Sequence, residues 1–187
     1  MLIFVPYINN LGNLLNNPDY PENKKWFALY TKPKHEFKAE SQLTAAGVEF
    51  YLPTVIKVKQ WSDRKKKIKE PLFSGYIFVY GCERERILAL EQYAVVRSIF
   101  FEGKPAIVPN WQIENLQKML EHGEDITVSD QLNVGTNVKI ISGPFKDVEG
   151  VVYESANSEK MLAITIDLLK RSVVVKIPRD SIIEKTI

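Results

Sequence analysis

The chain has 187 residues, 45% of them hydrophobic, and a formal net charge of +2. This content can build the core of one ordinary domain or two small ones, which excludes a disordered chain. The single cysteine, Cys82, excludes an internal disulfide, and one cysteine with two histidines cannot supply a usual structural zinc set.

The first predicted elements are a strand and a helix. Residues 26–30 read Trp-Phe-Ala-Leu-Tyr, which is typical of a short buried strand. Pro33 suits a first helical turn, the apolar positions between residues 34 and 46 fit one helical face, and Gly47 is a favourable stop. Residues 1–23, which precede these elements, form an N-terminal extension to which the sequence assigns no function.

A hairpin with a basic tip is predicted next. Residues 50–58 and 68–79 have strand character and flank a turn at Ser62 and Asp63. Residues 64–67 read Arg-Lys-Lys-Lys, a local positive field suited to phosphate backbones. A solvated hairpin tip is the alternative, since runs of charge are often no more than that.

The second arm of this hairpin is apolar on both faces. The two-residue period of a strand puts Tyr76, Phe78 and Tyr80 on one face and Ile77 and Val79 on the other. Both faces must therefore be covered, either by helices or by a partner that binds one of them.

The rest of the chain separates into three parts. A helix at 83–93, a strand at 95–101 and a helix at 110–120 complete a compact unit. Residues 121–135 hold four acidic and no lysine or arginine side chains. Residues 122–133 show neither helical nor strand periodicity, so we interpret residues 122–133 as a linker. From residue 134 onward, four or five short strands separated by turns predict a small barrel.

Three segments in this order resemble the NusG family of transcription elongation factors. They are WFALY at 26–30, EPLFSGYIFV at 70–79, and VKIISGPF at 138–145 with EGVV at 149–152. The resemblance covers residues 24–187 and implies an α+β fold with an NGN domain at 24–120, in which helices flank an antiparallel sheet. An acidic linker at 121–133 and a small all-β KOW barrel at 134–187 follow. KPAIVP at 104–109 looks most like the operon-specialised RfaH and UpxY branch.

The resemblance implies an operon-specific antiterminator that binds RNA polymerase and suppresses pausing and termination. In such proteins an apolar surface of the NGN domain docks on the clamp helices of the largest polymerase subunit. The matching positions here are Tyr30, Tyr76, Phe78, Ile113 and Leu116. The alternative is that all five belong to an ordinary core, and the docking interpretation requires them to be exposed.

The resemblance also implies two DNA contacts and a second protein partner. Lys32, Lys34, His35 and Lys38 match the edge that contacts the non-template DNA strand, and Arg64, Lys65, Lys66 and Lys67 would contact upstream duplex DNA. The spacing is consistent, because Lys34 and Lys38 would be one helical turn apart. The KOW barrel would recruit ribosomal protein S10 or termination factor Rho through Leu168, Leu169 and Arg171.

Other function classes are weaker. No nucleophile, base and orienting group form a recognisable motif, so we do not expect an enzyme, a metal or a cofactor. A general KOW-type RNA-binding module is the main alternative. No apolar run approaches the roughly 20 residues that cross a bilayer, and residues 1–8 lack the basic start of a signal peptide. We expect a cytoplasmic monomer with a stable barrel and an open NGN surface.

Overall fold

The structure is a computed structural model, which describes residues 23–61, 64–123, 126–130, 135–155, 159–166, 169–177 and 181–185. The helices are α1 (Glu36–Ala45), α2 (Glu83–Leu90) and α3 (Asn110–His122). The strands are β1 (Lys25–Thr31), β2 (Glu49–Tyr51), β3 (Thr54–Gln60), β4 (Lys65–Pro71), β5 (Tyr76–Gly81), β6 (Val95–Ser98), β7 (Phe100–Phe101), β8 (Lys104–Pro105), β9 (Ile107–Val108), β10 (Thr127–Asp130), β11 (Thr136–Ile140), β12 (Glu149–Glu154), β13 (Lys160–Ile166), β14 (Arg171–Lys176) and β15 (Ile183–Lys185). None of the described helices is long and apolar enough to cross a membrane.

The N-terminal domain is built on an antiparallel sheet with the strand order β2-β5-β1-β6, and β9 also pairs with β1. Strand β5 is central and pairs with β1 so that Ala28 lies opposite Phe78 and Tyr30 opposite Tyr76. The hairpin β3–β4 forms a separate two-stranded ladder. The α+β fold predicted for this part of the chain is confirmed.

One face of the sheet is covered by α1 and α2. Leu29, Ile77 and Val79 are fully buried there, in one cluster with Leu43 of α1 and Ala89 of α2. Full burial of one such aliphatic side chain contributes about 1.5–3 kcal/mol. This face is ordinary core.

The opposite face is covered by α3. Ala28 and Phe78 are fully buried in a second cluster, together with Leu116 and Met119 of α3. Apolar side chains recur at the 3.6-residue period along α3, which is why this segment forms an amphipathic helix that can lie on a sheet.

The C-terminal domain is a six-stranded antiparallel sheet with the order β10-β14-β13-β12-β11-β15. The β-branched run Val173–Val174–Val175 is buried in β14, and the fully buried Phe145 lies in the turn between β11 and β12. The all-β domain that was predicted is therefore present. Among the described strands no ladder joins β10 to β15, so backbone hydrogen bonds do not close the sheet into a complete barrel.

Part of the predicted linker is a strand. Residues Thr127–Asp130 form β10, which pairs antiparallel with β14 in the register Thr127↔Val174 to Asp130↔Arg171. This segment has no strand periodicity of its own. It forms a strand because its backbone hydrogen-bonds to β14, which is a tertiary contact that the local sequence pattern does not predict.

The two domains share a core. The cluster around Phe78 and Leu116 continues without a break into Leu162 and Val173 of the C-terminal domain. The Nδ2 of Asn115 donates a hydrogen bond to the Glu149 carbonyl at 3.2 Å. The Lys118 Nζ donates one to the Lys146 carbonyl at 3.3 Å. We call this the docked arrangement.

The prediction of an open NGN surface is therefore wrong for the docked arrangement. Phe78 and Leu116 are 0% exposed and Ile113 is 1% exposed, so none of the three can touch another molecule as the structure stands. The physical reason is apolar surface that would otherwise be exposed. The sheet has two apolar faces and α3 has a wide apolar face, and the C-terminal domain covers the part of this surface that the N-terminal domain does not bury itself.

The central position of Leu116 generates a prediction. Leu116→Ala should lower the free energy of unfolding by about 2–5 kcal/mol, because it leaves a cavity where the sheet, α3 and the C-terminal core meet. The control is Gln117→Ala, which changes an exposed neighbour on the same helix and should stay within about 0.5 kcal/mol of wild type. Denaturant unfolding measures both, and equal effects would contradict the packing described.

Candidate protein- and nucleic-acid-binding surfaces

Half-buried aromatic side chains surround the buried centre of the α3-facing side of the sheet. We call these five residues the aromatic rim: Trp26, Tyr30, Tyr51, Tyr76 and Tyr80. The Tyr30 and Tyr76 ring centroids lie 5.5 Å apart in an edge-to-face contact, and those of Trp26 and Tyr80 lie 5.0 Å apart. Burial raises the pKa of the Tyr51 hydroxyl, which stays protonated at any physiological pH.

Tyr76 is positioned by the turn that precedes it. Gly75 has a φ of +83°, which favours glycine, and a Cβ there would lie 3.0 Å from the Tyr30 ring and would press on it. The Gly75 amide donates a 2.7 Å hydrogen bond to Oε1 of Glu36, and the Gly75 carbonyl accepts one from Thr31 at 2.8 Å. The buried Glu36 of α1 thus fixes where β5 begins.

Of the five residues predicted to bind polymerase, two lie on this surface and three below it. Tyr30 and Tyr76 are half-buried and in contact with each other. Phe78, Ile113 and Leu116 belong to the shared core. Alternation along a strand placed Phe78 on the same face as Tyr76, but it could not show that the C-terminal domain shares the core beneath.

The predicted basic edge contains an aromatic residue that the sequence analysis missed. The Nζ of Lys32 lies 3.2 Å from the centroid of the Tyr93 ring and that of Lys38 lies 4.7 Å from it. The His35 ring centroid is 6.3 Å away, and Tyr93 itself is 61% exposed. We call Lys32, His35, Lys38 and Tyr93 the basic patch.

Lys34 does not lie on the helix as predicted. Helix α1 begins at Glu36, and Lys34 precedes it with a φ of +60°. Lys34 is exposed and is close to the patch in sequence. The prediction that it lies one helical turn from Lys38 on the same helix is wrong, because the chain turns before α1 starts. What brings Lys32 and Lys38 together is the ring of Tyr93.

Tyr93 carried only a weak sequence signal. It is an exposed tyrosine just after α2, more than 50 residues from Lys38 in the chain, and nothing local links it to α1. The pairing of β1 with β6 brings the two segments together. The ring of Tyr93 is exposed and carries two lysine charges over its face, a combination that can exchange the lysines for an unpaired base and leave the charges for its phosphate.

The hairpin β3–β4 carries the predicted second basic group at its tip. Lys65, Lys66 and Lys67 are exposed, and within the described residues none of them has an ion-pair partner. Arg64 is also exposed, and its carbonyl accepts a 2.8 Å hydrogen bond from the amide of Trp61. Trp61 is 51% exposed, and its ring centroid lies 5.5 Å from the Nζ of Lys66, so the tip is both basic and aromatic.

Charges nearer the base of the hairpin are partly compensated by one carboxylate. Lys59 forms a hydrogen-bonded ion pair with Glu70, and the Lys57 Nζ lies 3.7 Å from the same carboxylate. The hydrogen bond from Lys59 and the positive charges of both lysines hold the pKa of Glu70 below its usual range. The field of the hairpin is therefore concentrated at its tip.

The three residues predicted to bind a partner through the C-terminal domain differ in placement. Leu168 lies outside the described residues. Leu169 is half-buried and packs against the shared core. Arg171 is exposed and begins β14. Elsewhere in the described ranges, no three His, Cys, Asp or Glu side chains gather as they would around a metal ion.

The family model and the curated relatives that match this chain carry one family name. The family model described as "Transcription termination factor nusG" matches residues 24–117. The "Transcription termination/antitermination protein NusG" of Staphylococcus epidermidis is 26% identical over 178 residues, which cover 85% of this chain and 94% of the relative. The protein of the same name from Staphylococcus carnosus is 25% identical with the same coverage. The solved structure "Domain interaction in Thermotoga maritima NusG" matches with a TM-score of 0.46 and 24% identity, over 82% of this chain and 93% of that one.

The anchoring of Gly75 by Glu36 can be tested by substitution. Glu36→Ala should cost about 1.5–3 kcal/mol of unfolding free energy, because it removes a buried charged acceptor from an amide. Glu36→Gln keeps an acceptor oxygen and should cost less. Thermal or denaturant unfolding distinguishes them, and an Ala variant as stable as wild type would show that this hydrogen bond does not hold the turn.

Proposed function

The chain belongs to the NusG family, and from this membership we propose that it is an operon-specific antiterminator that binds elongating RNA polymerase and suppresses pausing and termination. The match of the family model to residues 24–117 carries this proposal, because that stretch contains the sheet, the aromatic rim, the basic patch and the hairpin. The family is one of transcription factors, and the proposed role is binding without catalysis.

The proposed polymerase contact is the α3-facing side of the N-terminal sheet. Tyr30 and Tyr76 of the aromatic rim are partly accessible in the docked arrangement, whereas Phe78, Ile113 and Leu116 are not. Large aromatic side chains with adjacent apolar surface are typical anchors of protein interfaces. We take the clamp helices of the largest subunit as the partner, and full contact would require the C-terminal domain to leave α3.

The proposed DNA contacts are divided between two surfaces. The basic patch fits a single strand, since Lys32 and Lys38 lie over the ring of the exposed Tyr93, and a base that stacks on this ring would displace their charges toward its own phosphate. This favours the non-template strand. The tip of the hairpin, with Arg64 and three lysines in succession, fits a phosphate backbone irrespective of base and is assigned to upstream duplex DNA.

Recruitment to selected operons, in the manner of RfaH or UpxY proteins, is supported by the segment KPAIVP at 104–109 and by the separate single-strand surface. We further propose that the C-terminal domain recruits ribosomal protein S10 or Rho near Arg171, which is exposed. By binding active polymerase better than paused polymerase, the protein would shift the equilibrium toward the active state.

The two surfaces of the N-terminal domain should separate in transcription assays. With the cognate polymerase on a template carrying the leader of a long operon, wild type should increase read-through of pauses and terminators. Tyr30→Ala/Tyr76→Ala should abolish this on every template, because polymerase docking is lost. Lys32→Ala/Lys38→Ala should lose it only where the leader recruits the protein.

The control for charge is Lys160→Ala/Lys185→Ala, which removes two exposed lysines from the C-terminal domain and should behave as wild type. If wild type changes neither pausing nor read-through on any template, the antiterminator assignment fails and a general RNA-binding module becomes the better interpretation.

Stacking and charge can be distinguished by salt dependence. Tyr93→Ala should weaken binding of a single-stranded oligonucleotide by about 1–3 kcal/mol, roughly 5- to 150-fold. The slope of log affinity against log salt should change by less than about one, since no charge is removed. Tyr93→Phe keeps the ring and should retain most of the affinity. Fluorescence anisotropy at several salt concentrations measures both quantities, and equal losses for Ala and Phe would exclude stacking.

A further inference from the structure

The hairpin β3–β4 has an edge that no other described strand covers. Among the described strands, β3 pairs only with β4. Two hydrogen bonds show which residues of the hairpin bond across this ladder. At its base, the Leu72 amide donates to the Pro53 carbonyl at 2.8 Å. At its tip, the Trp61 amide donates to the Arg64 carbonyl at 2.8 Å.

These two bonds fix the direction of every backbone group of β3. In an antiparallel ladder, pairs that are hydrogen-bonded alternate with pairs that are not. Because Pro53 and Trp61 bond across the ladder, the odd-numbered residues of β3 bond to β4. The amides and carbonyls of Ile56 and Val58 therefore point away from β4. A row of such groups at a sheet edge can pair with an added strand.

This edge of β3 borders a cavity of about 780 Å³. Residues 54–58 line one wall, and Leu120, Gly123 and Ile126, at and just after the end of α3, line the other. The volume lies within the range of ~300–1,000 Å³ that is typical of binding pockets. Backbone groups on one wall and aliphatic side chains on the other suit an extended apolar segment.

The side chains of Ile56 and Val58 are poorly covered for their type. They are 70% and 59% exposed and lie on the same face of β3. In the ladder, Lys69 lies opposite Ile56 and Lys67 lies opposite Val58. Within the described residues, neither lysine has an ion-pair partner, and Glu70 points to the other face of the hairpin. This face therefore offers apolar surface beside positive charge.

The N-terminal extension has the matching chemistry. Residues 1–8 read MLIFVPYI, in which residues 2–5 have strand character. Residues 1–23 contain Asp19 and Glu22 and no lysine or arginine, whereas residues 54–71 of the hairpin contain seven lysines and arginines. The family model matches from residue 24 onward, so the extension is additional to the matched domain. Its apolar start and its charge are both complementary to the hairpin.

The extension is also long enough to reach the cavity. The described chain starts at Asn23, two residues before β1. Eighteen Cα steps separate residue 5 from Asn23, and an extended chain of that length spans ~60 Å. A domain of about 100 residues has a radius of gyration of only ~13 Å. Every point on the surface of the N-terminal domain is therefore within reach.

We propose that residues 1–8 bind in this cavity of their own chain, with residues 2–5 added as a third strand on the edge of β3. The added strand hydrogen-bonds to the main chain of Ile56 and Val58, and its side chains pack on the wall at Leu120 and Ile126. The N-terminal extension thereby joins the hairpin to the end of α3. Neither polymerase nor DNA takes part in this contact, so the experiments below contain neither.

Amide exchange resolved by NMR tests the added strand. In wild type, the amides of Ile56 and Val58 should exchange at least about tenfold more slowly than in the variant Ile3→Ser/Phe4→Ser, because the added strand supplies their acceptors. This variant removes one apolar side chain from each face of an extended segment. Equal exchange of these two amides in wild type and variant would overturn the proposal.

Two internal controls accompany the exchange measurement. Asn9→Ser/Asn10→Ser places the same substitution just after the apolar run and should leave the exchange of wild type unchanged. The amides of Lys57 and Lys59 bond to β4 and should be equally protected in all three proteins. Loss of protection at Lys57 and Lys59 as well would mean that the hairpin itself opens, and would overturn an effect confined to its edge.

A fluorescent peptide with the sequence of residues 1–10 tests the site directly. The full chain carrying Ile3→Ser/Phe4→Ser should bind the peptide saturably. In wild type the tethered segment competes at a millimolar effective concentration, so binding should be at least about tenfold weaker. Adding Ile56→Ser/Val58→Ser to the variant should abolish binding. The matched control adds Ile107→Ser/Ile182→Ser, which changes two exposed isoleucines outside the cavity and should keep binding.

Three outcomes of the binding and mass measurements would overturn the proposal. The first is no peptide binding by the Ile3→Ser/Phe4→Ser variant while its circular dichroism is that of wild type. The second is equal loss of binding on adding either pair of serines, which would place the peptide elsewhere. The third is a wild-type dimer in sedimentation that Ile3→Ser/Phe4→Ser converts to a monomer, which would place the segment on a second copy of the chain.

Discussion

A central strand that is apolar on both faces governs the organisation of this molecule. Ile77 and Val79 of β5 point to one side of the sheet and Phe78 to the other, and all three are fully buried. Two helices cover the first side. The second side is closed by α3, which itself has a wide apolar face, and the remaining apolar surface is covered by the C-terminal domain through one continuous core. Domain arrangement therefore follows from a requirement of the sheet.

This constraint gives the same surface two uses. The aromatic rim and the buried residues beneath it form the apolar area that the proposed polymerase contact needs, and part of that area is already used for internal packing. A partner that binds the face fully has to offset the contacts of α3 with the C-terminal domain, including the hydrogen bonds of Asn115 and Lys118. The basic patch is at least partly exposed in the docked arrangement and Arg64, Lys65, Lys66 and Lys67 of the hairpin tip are exposed, so the proposed DNA contacts need no such exchange.

Local sequence patterns predicted most of the elements. The alternation around Tyr76 predicted the strand and its two faces, and Gly47 predicted a turn that has a positive φ. The second hairpin arm predicted at 68–79 is wrong as one strand, because the turn at Gly75 divides it into β4, which pairs with β3, and β5, which pairs with β1. Patterns could not show which apolar face is covered from within the chain, because that depends on contacts between residues such as Leu116 and Val173, far apart in sequence. For the same reason β10 was taken as linker, and Tyr93 was missed although it joins Lys32 to Lys38.

The central claim is that the face proposed to bind polymerase is shared with the C-terminal domain. It is tested most directly by linking Lys118→Cys to Lys146→Cys with a short bismaleimide in a Cys82→Ser background, since Lys118 already bonds to the Lys146 carbonyl. Binding to an assembled elongation complex is then measured by gel shift, with the treated Lys118→Cys single variant as control. The account predicts that the linked protein loses binding while the control and the unlinked protein bind. Unchanged binding of the linked protein would contradict it.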